Sequence, residues 1–300
     1  MSDRMDVSLE TVTGLIAEQF PQWAHLPVTH VRHSGWDNRS FRLGATMLVR
    51  LPSAAGYVAQ VDKEHRWLPY LASHLPLPIP EPMGQGRPSR DYPWPWSVYR
   101  WIEGEPLVLQ LASTDLCQLA KDVAAFLRAL YAVDASDGSP AGAHNFYRGG
   151  SLLVYNAEAR VAINAVADEV DAGLAHAIWD LALESRWPEK PVWVHGDIAE
   201  GNLLMRDGRL CAVIDFGSSG VGDPASDLIL AWNVLDAESR AIFAYELPFD
   251  ATTWQRGRGW ALWKAMIVLA AQRGKNEAMA EWSRRTIREI FADHLAGGQN

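Results

Sequence analysis

The order of apolar and polar positions along the 300-residue chain predicts a β-rich first third and a mainly helical remainder. Residues 9–20 carry apolar side chains at helical spacing, with Ser8 placed to cap the first turn. The runs 28–33 and 39–51 have the pattern of strands, and a Gly44-Ala45 turn makes the second run a hairpin. The chain therefore opens with a helix followed by antiparallel strands.

The next stretch completes a first lobe. Residues 60–73 predict a helix, the prolines between 76 and 82 predict an extended connector, and residues 96–102 predict another strand. The fold class that follows is α+β with two lobes, a β-rich lobe over 1–103 and an α-helical lobe over 104–300. A joint of this kind tends to enclose a ligand cleft.

The second lobe is predicted from longer periodic segments and one cluster of short strands. Its elements, in order, are helices over 116–131 and 157–184, a strand pair over 192–195 and 203–205, a turn at Asp207-Gly208, a strand over 210–216, and helices over 224–295.

The charge is unevenly distributed between these two parts. The chain has 27 Lys and Arg against 36 Asp and Glu, a net charge of −9. Residues 1–100 carry a net charge of about +1 and residues 101–300 about −10. This pattern argues against a nucleic-acid surface. It permits a cationic substrate in the second part, although a solvated acidic surface explains it equally well.

Cysteine content and the search for targeting signals indicate the cellular compartment of the protein. No apolar run approaches the ~20 residues that a membrane helix needs, and the first ten residues lack the order of a signal peptide. We therefore expect a cytoplasmic protein. Cys117 and Cys211 lie in apolar surroundings, which predicts two buried reduced thiols rather than a disulfide or metal site.

Three polar side chains at the ends of short strands carry the candidate chemistry. Asp197 and Asn202 lie five residues apart in a polar loop between apolar strands, and Asp215 ends the next strand. Carboxylate and amide oxygens suit Mg²⁺ held together with phosphates. Phosphoryl transfer needs such a metal and a group that orients the acceptor hydroxyl. The alternative is that the two aspartates are isolated turn residues.

The motif His195-Gly196-Asp197, with Asn202 five residues on and then Ile-Asp215-Phe-Gly, resembles the catalytic and metal loops of the aminoglycoside phosphotransferase family. That family shares the protein-kinase fold. The resemblance implies that Asp197 is the catalytic carboxylate, that Asn202 and Asp215 hold Mg²⁺, and that His195 is structural. It also implies that Asp227 ties down the catalytic loop through backbone hydrogen bonds.

The same resemblance assigns nucleotide contacts to the first lobe, with ATP or GTP as co-substrate. The loop from Ser34 to Ser40 would cover the phosphates, although it lacks a glycine-rich pattern and is equally an ordinary turn. Arg50 would grip the α- and β-phosphates from the position where protein kinases carry lysine, and Glu64 would pair with it. The alternative for Glu64 is an exposed surface residue.

The segment from Tyr99 to Gly104 resembles the hinge between the lobes. Main-chain groups of Arg100 and Ile102 would then contact the nucleotide base. A plain strand leaving the lobe predicts the same sequence, so this expectation depends on the resemblance.

The acceptor is the least defined part of the prediction. The final helices contain five tryptophans, of which we expect two or three in the core, and six acids that could meet ammonium groups. These residues are Trp232, Trp254, Trp260, Trp263, Trp282, Asp236, Glu238, Glu246, Asp250, Glu277 and Glu281.

Three functions remain open at this point. The first is a kinase for an antibiotic such as an aminoglycoside or a macrolide, with no nucleic-acid polymer or membrane as partner. The second is a metabolic kinase for choline, ethanolamine, homoserine or a sugar. The third, a pseudokinase that binds nucleotide without turnover, is disfavoured because Asp197, Asn202 and Asp215 are all present.

Overall fold

The computed structural model describes residues 4–31, 35 and 37–297. Its helices are α1 (Leu9–Gln19), α2 (Ala59–Ala72), α3 (Leu116–Ala132), α4 (Asn156–Ala165), α5 (Ala172–Leu183), α6 (Leu230–Asn233), α7 (Ala237–Glu246), α8 (Ala251–Gln272) and α9 (Glu277–Gly297). Its strands are β1 (Val28–His30), β2 (Asn38–Leu43), β3 (Met47–Pro52), β4 (Pro82–Gly86), β5 (Trp96–Arg100), β6 (Glu105–Pro106), β7 (Val192–Val194), β8 (Leu203–Arg206), β9 (Arg209–Val213) and β10 (Gly220–Gly222).

A five-stranded antiparallel sheet in the order β1-β2-β3-β5-β4 forms the first part of the fold. The apolar side chains of its strands pack with those of α1 in a separate small core that includes Phe41, Val49 and Val98. Because side chains alternate along a strand, Arg50 and its cross-strand partner Ser40 project from the opposite face. That face borders the cleft.

The larger core joins α2 and β5 to the helices of the second part. Trp67, Leu68 and Tyr99 are buried in the same cluster as residues of α3, α5 and α8. Burying side chains of this size contributes about 1.5–3 kcal/mol each. Packing therefore holds α2, which carries Glu64, against the second part of the chain as well as under the sheet.

Several sequence predictions are confirmed. Helix α1 begins after Ser8, whose side chain accepts a hydrogen bond from the Thr11 N–H. The β2–β3 hairpin turns at Gly44, which has a φ of 57°, and helix α2 spans nearly the predicted range. Cys117 and Cys211 are free thiols, although both are half-buried rather than buried. The division into lobes at residue 103 stays a prediction.

The predicted helix over 157–184 is wrong in one respect, because it is two helices. Helix α4 ends at Ala165, and α5 begins after Asp171, whose carboxylate accepts from the Leu174 N–H. An aspartate in this position satisfies an N–H that a continuous helix would have bonded internally. The break therefore follows from a capping residue inside the periodic pattern.

The predicted pairing of 192–195 with 203–205 is also wrong. Strand β7 pairs with β10, whereas β8 pairs with β6 and β9. Strand β10 is three residues long and two of them are glycine, so no strand pattern marks it in the sequence. None of the helices in the described ranges combines the length and the apolar character that crossing a bilayer requires.

Candidate active site

The loop from His195 to Asn202 connects β7 to β8, and Asp227 fixes its beginning. The Asp227 carboxylate accepts from the backbone N–H of His195 (3.0 Å) and of Gly196 (2.6 Å). These contacts confirm the role predicted for Asp227. Gly196 has a φ of 82°, and a Cβ there would lie 2.5 Å from the Ser218 carbonyl oxygen, so only glycine fits.

The ring of His195 is fully buried and bridges two parts of the site. Its Nδ1 accepts from the Asp197 N–H at 3.2 Å, so its Nε2 carries the hydrogen and donates to the Ile214 carbonyl at 3.0 Å. Burial lowers the pKa of His195, which keeps the imidazole neutral. The histidine therefore aligns the Asp197 loop with the end of the strand that precedes Asp215.

The side chains of Asp197 and Asn202 are in direct contact. The Asn202 Nδ2 donates to the Asp197 carbonyl at 2.9 Å and to its Oδ2 at 3.1 Å. The Ile214 N–H donates to the Asn202 carbonyl at 2.9 Å, which fixes the backbone at that point. With its amide nitrogen engaged, Asn202 has its Oδ1 left as a ligand atom.

Two cations from outside the loop surround the Asp197 carboxylate. The ammonium of Lys264, on α8, lies 2.6 Å from Oδ1, and Arg148 packs against Gly196 next to it. Burial raises the pKa of Asp197, but Lys264 and Arg148 outweigh it and lower that pKa to about 2. Asp197 is consequently a carboxylate at any physiological pH.

Asp215 has an unusual backbone and a cationic partner. Its φ and ψ are both 67°, in the left-handed region that non-glycine residues adopt infrequently and that often marks functional sites. Its Oδ1 is 2.7 Å from Nη2 of Arg50 on β3. The following turn is fixed by Lys63 of α2, whose buried ammonium donates to the carbonyls of Gly217 (2.6 Å) and Ser219 (2.9 Å).

Arg50 is also held from behind by Glu64 of α2. Its Nη1 lies 3.5 Å from Glu64 Oε1, and the hydroxyl of Tyr99 donates to the other oxygen of Glu64. Burial lowers the pKa of Arg50, but the carboxylates of Asp215 and Glu64 raise it above its ordinary value. Glu64 is only 5% exposed, so it is not a surface glutamate.

These groups border a cavity of about 640 Å³ between the sheet and the second part of the chain. The sequence-predicted residues in its lining are Ser40, Arg50, Arg100, Ile102, Asn202 and Asp215. Glu64 lies behind Arg50, and Asp197 lies beside Asn202 just outside the lining. Ser34 lies outside the described residues.

A family model described as "Phosphotransferase enzyme family" matches residues 29–260, well over half of the chain and all of the loops above. The chain belongs to the phosphotransferase enzyme family. The predicted family resemblance is confirmed.

A curated relative of this phosphotransferase is the aminoglycoside 3'-phosphotransferase of Escherichia coli, which is 34% identical over 70 residues. The shared stretch is 23% of this chain and 26% of that enzyme, so the chain spans about a quarter of the length of the curated relative that it matches.

Solved structures resemble the phosphotransferase over nearly its whole length. The GDP complex of aminoglycoside 2'-phosphotransferase-IIIa has a TM-score of 0.70 at 19% identity and covers 96% of this chain and 100% of its own. A GDP and kanamycin complex of the same enzyme type has a TM-score of 0.70 at 20% identity and covers 95% and 99%.

A thermostable mutant of APH(4)-Ia with AMP-PNP and hygromycin B has a TM-score of 0.59 at 23% identity and covers 93% and 97%. These likenesses confirm the two-lobed α+β fold of the protein-kinase type.

The segment predicted as the hinge of the phosphotransferase borders the cavity, but some of its hydrogen-bonding groups already have partners within the protein. The Arg100 N–H donates to the Glu81 carbonyl at 2.9 Å, and the Arg100 guanidinium pairs with the Glu81 carboxylate at 2.6 Å. Arg100 therefore cannot offer its N–H to a nucleotide base. A contact through its carbonyl, or through main-chain groups of Ile102, stays a prediction.

The tryptophans of the final helices are largely core. Trp232, Trp260 and Trp263 are at most 5% exposed, which confirms the expected share, whereas Trp254 and Trp282 are half-buried. Trp263 stacks on Tyr155 at 4.0 Å and donates to Glu158 at 2.8 Å.

Five of the six nearby acids already have partners. Asp236 and Asp250 cap helices α7 and α8, and Glu246, Glu277 and Glu281 form ion pairs with arginines. Glu238 is exposed. These partners reduce the acidic charge that the final helices can offer to an acceptor.

Sequence reasoning missed Lys264, Lys63 and Arg148. Lys264 could have been noticed in the sequence. It is the single lysine of the long helix α8, and the residues on either side of it are apolar. Lys63 stands directly before Glu64 and has no comparable feature. Arg148 stands in a stretch of turns, far along the chain from every motif, where no periodic pattern marks it.

Proposed function

We propose that this phosphotransferase transfers the γ-phosphate of ATP or GTP to a hydroxyl of an antibiotic, an aminoglycoside or a macrolide, with Asp197 at the centre of the reaction. The observation that carries the proposal is that Arg50, Asn202 and Asp215 line one cavity and that Asp197 contacts Asn202 directly beside it. Two loops of the second part and one strand of the sheet supply these groups.

The cavity supports a nucleoside triphosphate as the donor. Its apolar lining, from residues such as Val31, Leu48, Leu204 and Ile214, suits a purine ring. Arg50 then serves the α- and β-phosphates as a planar two-donor fork, positioned by Glu64 behind it. Ser40 stands opposite Arg50 on β2 and borders the same phosphate region.

Magnesium fits the oxygen atoms at the base of the cavity. In the described residues no group of three or more His, Cys, Asp or Glu side chains could hold a metal ion. Mg²⁺ usually takes only one or two protein oxygens together with substrate phosphates, and Asn202 Oδ1 and the Asp215 carboxylate provide these. When bound, Mg²⁺ neutralises charge on the phosphates.

Asp197 is suited to orient the acceptor. Its carboxylate remains ionised, and its backbone is fixed by His195 and by the Asp227 contacts to the preceding residues. A fixed carboxylate accepts a hydrogen bond from the attacking hydroxyl and takes its proton late in the transfer. Orientation is the main contribution, because a carboxylate with a pKa of about 2 is a weak base.

An antibiotic acceptor is supported by what the similar proteins bind. The structure of one contains kanamycin and that of another contains hygromycin B. The experiment incubates the purified protein with Mg²⁺ and either ATP or GTP, together with kanamycin, hygromycin B, a macrolide, choline or homoserine. Mass spectrometry detects the phosphorylated product, and an Asp197→Asn variant is the control.

We expect one antibiotic to gain a single phosphoryl group and the control to be inactive. Susceptible bacteria that express the wild type should then grow at raised concentrations of that compound. Phosphorylation of choline or homoserine alone would transfer the proposal to the metabolic alternative. Consumption of nucleotide with none of the acceptors modified would overturn the antibiotic assignment.

A further inference from the structure

Lys264 is the single lysine of helix α8, and its ammonium lies 2.6 Å from Oδ1 of Asp197. The residues beside it in the helix are buried, whereas the side chains of Lys264 and Asp197 are 23% and 30% exposed. The pair is therefore accessible rather than enclosed in the core. We propose that Lys264 is a catalytic residue that binds the transferring phosphoryl group, an inference that rests on the proposed function above.

The hydrogen-bonding capacity of Lys264 supports this role. An ammonium has three N–H donors, and in the part of the chain that the structure describes only the Asp197 carboxylate accepts from Lys264. Two donors are thus available to a substrate. The other Asp197 oxygen, Oδ2, is on the side of Asn202. The carboxylate can hold Lys264 through one oxygen and orient a hydroxyl through the other.

The catalytic loop itself supplies no cation for the γ-phosphate. Residues 198–201, between Asp197 and Asn202, are Ile, Ala, Glu and Gly. Arg148 is near, but it is 8% exposed and its guanidinium lies 4.7 Å from the ring of Trp263 and 5.0 Å from that of Trp260. Its Nε and Nη1 have no hydrogen-bond partner in the described structure, and it contributes as a buried charge. Among the described residues, Lys264 is the accessible cation at this carboxylate.

In the reaction, the oxygen of the acceptor hydroxyl forms a bond to the γ-phosphorus. The bond from that phosphorus to the β,γ-bridging oxygen breaks, and the nucleoside diphosphate leaves with the electron pair. The hydroxyl proton passes to Asp197 and then to solvent. Throughout the transfer, Lys264 donates to a non-bridging γ-oxygen while it keeps its contact with Asp197. Charge on these oxygens in the transition state is what such a cation stabilises.

A purely structural role predicts different behaviour. If Lys264 only neutralises and positions Asp197, then substitution affects every nucleotide analogue equally. If it contacts the γ-oxygens, its loss should change how the enzyme responds when one of those oxygens becomes sulfur. The diagnostic quantity is the ratio of kcat for the preferred nucleoside triphosphate to kcat for its γ-thio analogue.

The experiment compares Lys264→Met and Lys264→Arg with wild type, and Lys275→Met serves as the control because Lys275 is an exposed lysine beyond the end of α8. Acceptor phosphorylation and acceptor-free hydrolysis of the nucleotide are both measured, and calorimetry gives the nucleotide affinity. We expect Lys264→Met to lower kcat about 10²–10³-fold, with nucleotide affinity within about threefold. The γ-thio ratio should fall severalfold, and Lys264→Arg should recover part of both.

Full kcat in Lys264→Met, or a low kcat with the wild-type γ-thio ratio, overturns the proposal while the proposed function stands. Acceptor-free hydrolysis keeps the test independent of acceptor identity. A wild type that neither phosphorylates an acceptor nor hydrolyses nucleotide overturns both proposals.

Discussion

Arg50 and Asp215 are 165 positions apart in the sequence, yet Arg50 Nη2 lies 2.7 Å from Asp215 Oδ1. The contact joins the third strand of the sheet to the loop that follows β9. It places the proposed phosphate ligand and the proposed metal ligand in one ion pair. When a metal–nucleotide complex binds, Arg50 should contact the phosphates and Asp215 should contact the metal. Substitutions of Arg50 and of Asp215 should therefore have different effects on nucleotide binding.

Substitution of Asp215 by asparagine should remove the Mg²⁺-dependent part of nucleotide affinity. The carboxylate is lost, so the metal is held less strongly, whereas Arg50 is released from its partner and stays free to bind phosphates. Calorimetric titration with and without Mg²⁺ measures both effects. We expect metal-free binding equal to or tighter than that of wild type. An unchanged Mg²⁺ dependence would mean that Asp215 is not a ligand.

Substitution of Arg50 by methionine should raise the nucleotide KM about tenfold or more and leave the acceptor KM within about twofold, since charge-assisted hydrogen bonds contribute ~1.5–3 kcal/mol. Glu64→Gln should produce a smaller change in the same direction, because Glu64 positions the guanidinium. Steady-state kinetics in both substrates provides the test, with the exposed Arg90→Met as control. Equal changes in both KM values would show that the strand alignment is wrong.

Lys63 gives a pH-dependent stability with a defined sign. Burial lowers its pKa to about 8 in the folded protein, whereas a lysine in the unfolded chain has a pKa of about 10.4. Between these values the unfolded chain binds more protons, so the free energy of unfolding rises with pH through this window. The Lys63 contribution should increase by roughly 2–3 kcal/mol from pH 8 to pH 10.

Urea unfolding of wild type and Lys63→Met across this pH range isolates that contribution as the difference between the two proteins. Lys275→Met, which removes an exposed lysine, should show a difference that is independent of pH. A flat difference for Lys63→Met as well would show that the Lys63 ammonium titrates normally.

The salt dependence of the acceptor KM should reveal the charge of the acceptor. An aminoglycoside carries several ammonium groups, so its KM should rise clearly between low and high salt, because screening shortens to a few ångström at about 1 M salt. A macrolide, with about one amine and a large apolar face, should respond weakly. Because most acids of the final helices are already caps or ion-pair partners, we expect only a severalfold rise even for an aminoglycoside. An uncharged acceptor with a salt-independent KM would remove the cationic hypothesis and leave the phosphotransferase assignment intact.

The parts that the sequence predicted best depend on residues close together in the chain. Asp197 and Asn202 lie in one loop, and the Asp227 tether could be inferred from the family motif. Strand pairing around that loop was not predictable, because β10 has too few side chains with strand preference to show a pattern.

The site residues that could not be identified from the sequence depend on contacts between distant segments of the chain. Lys264 reaches Asp197 across 67 positions and Lys63 reaches Gly217 across 154, and neither belongs to a local motif. The helix break before Asp171 was missed for another reason. In the sequence, a capping aspartate cannot be distinguished from a surface aspartate until the ends of both helices are known.

The most direct test of the whole account is single-turnover transfer of the γ-phosphate by Asp197→Asn, measured beside the nucleotide affinity of the same protein. Groups that orient a hydroxyl and accept its proton typically contribute about 10²–10⁴-fold to the rate. We expect a loss of that size, with the nucleotide dissociation constant within a few-fold of wild type. Transfer at most of the wild-type rate would contradict it and remove Asp197 from the centre of the reaction.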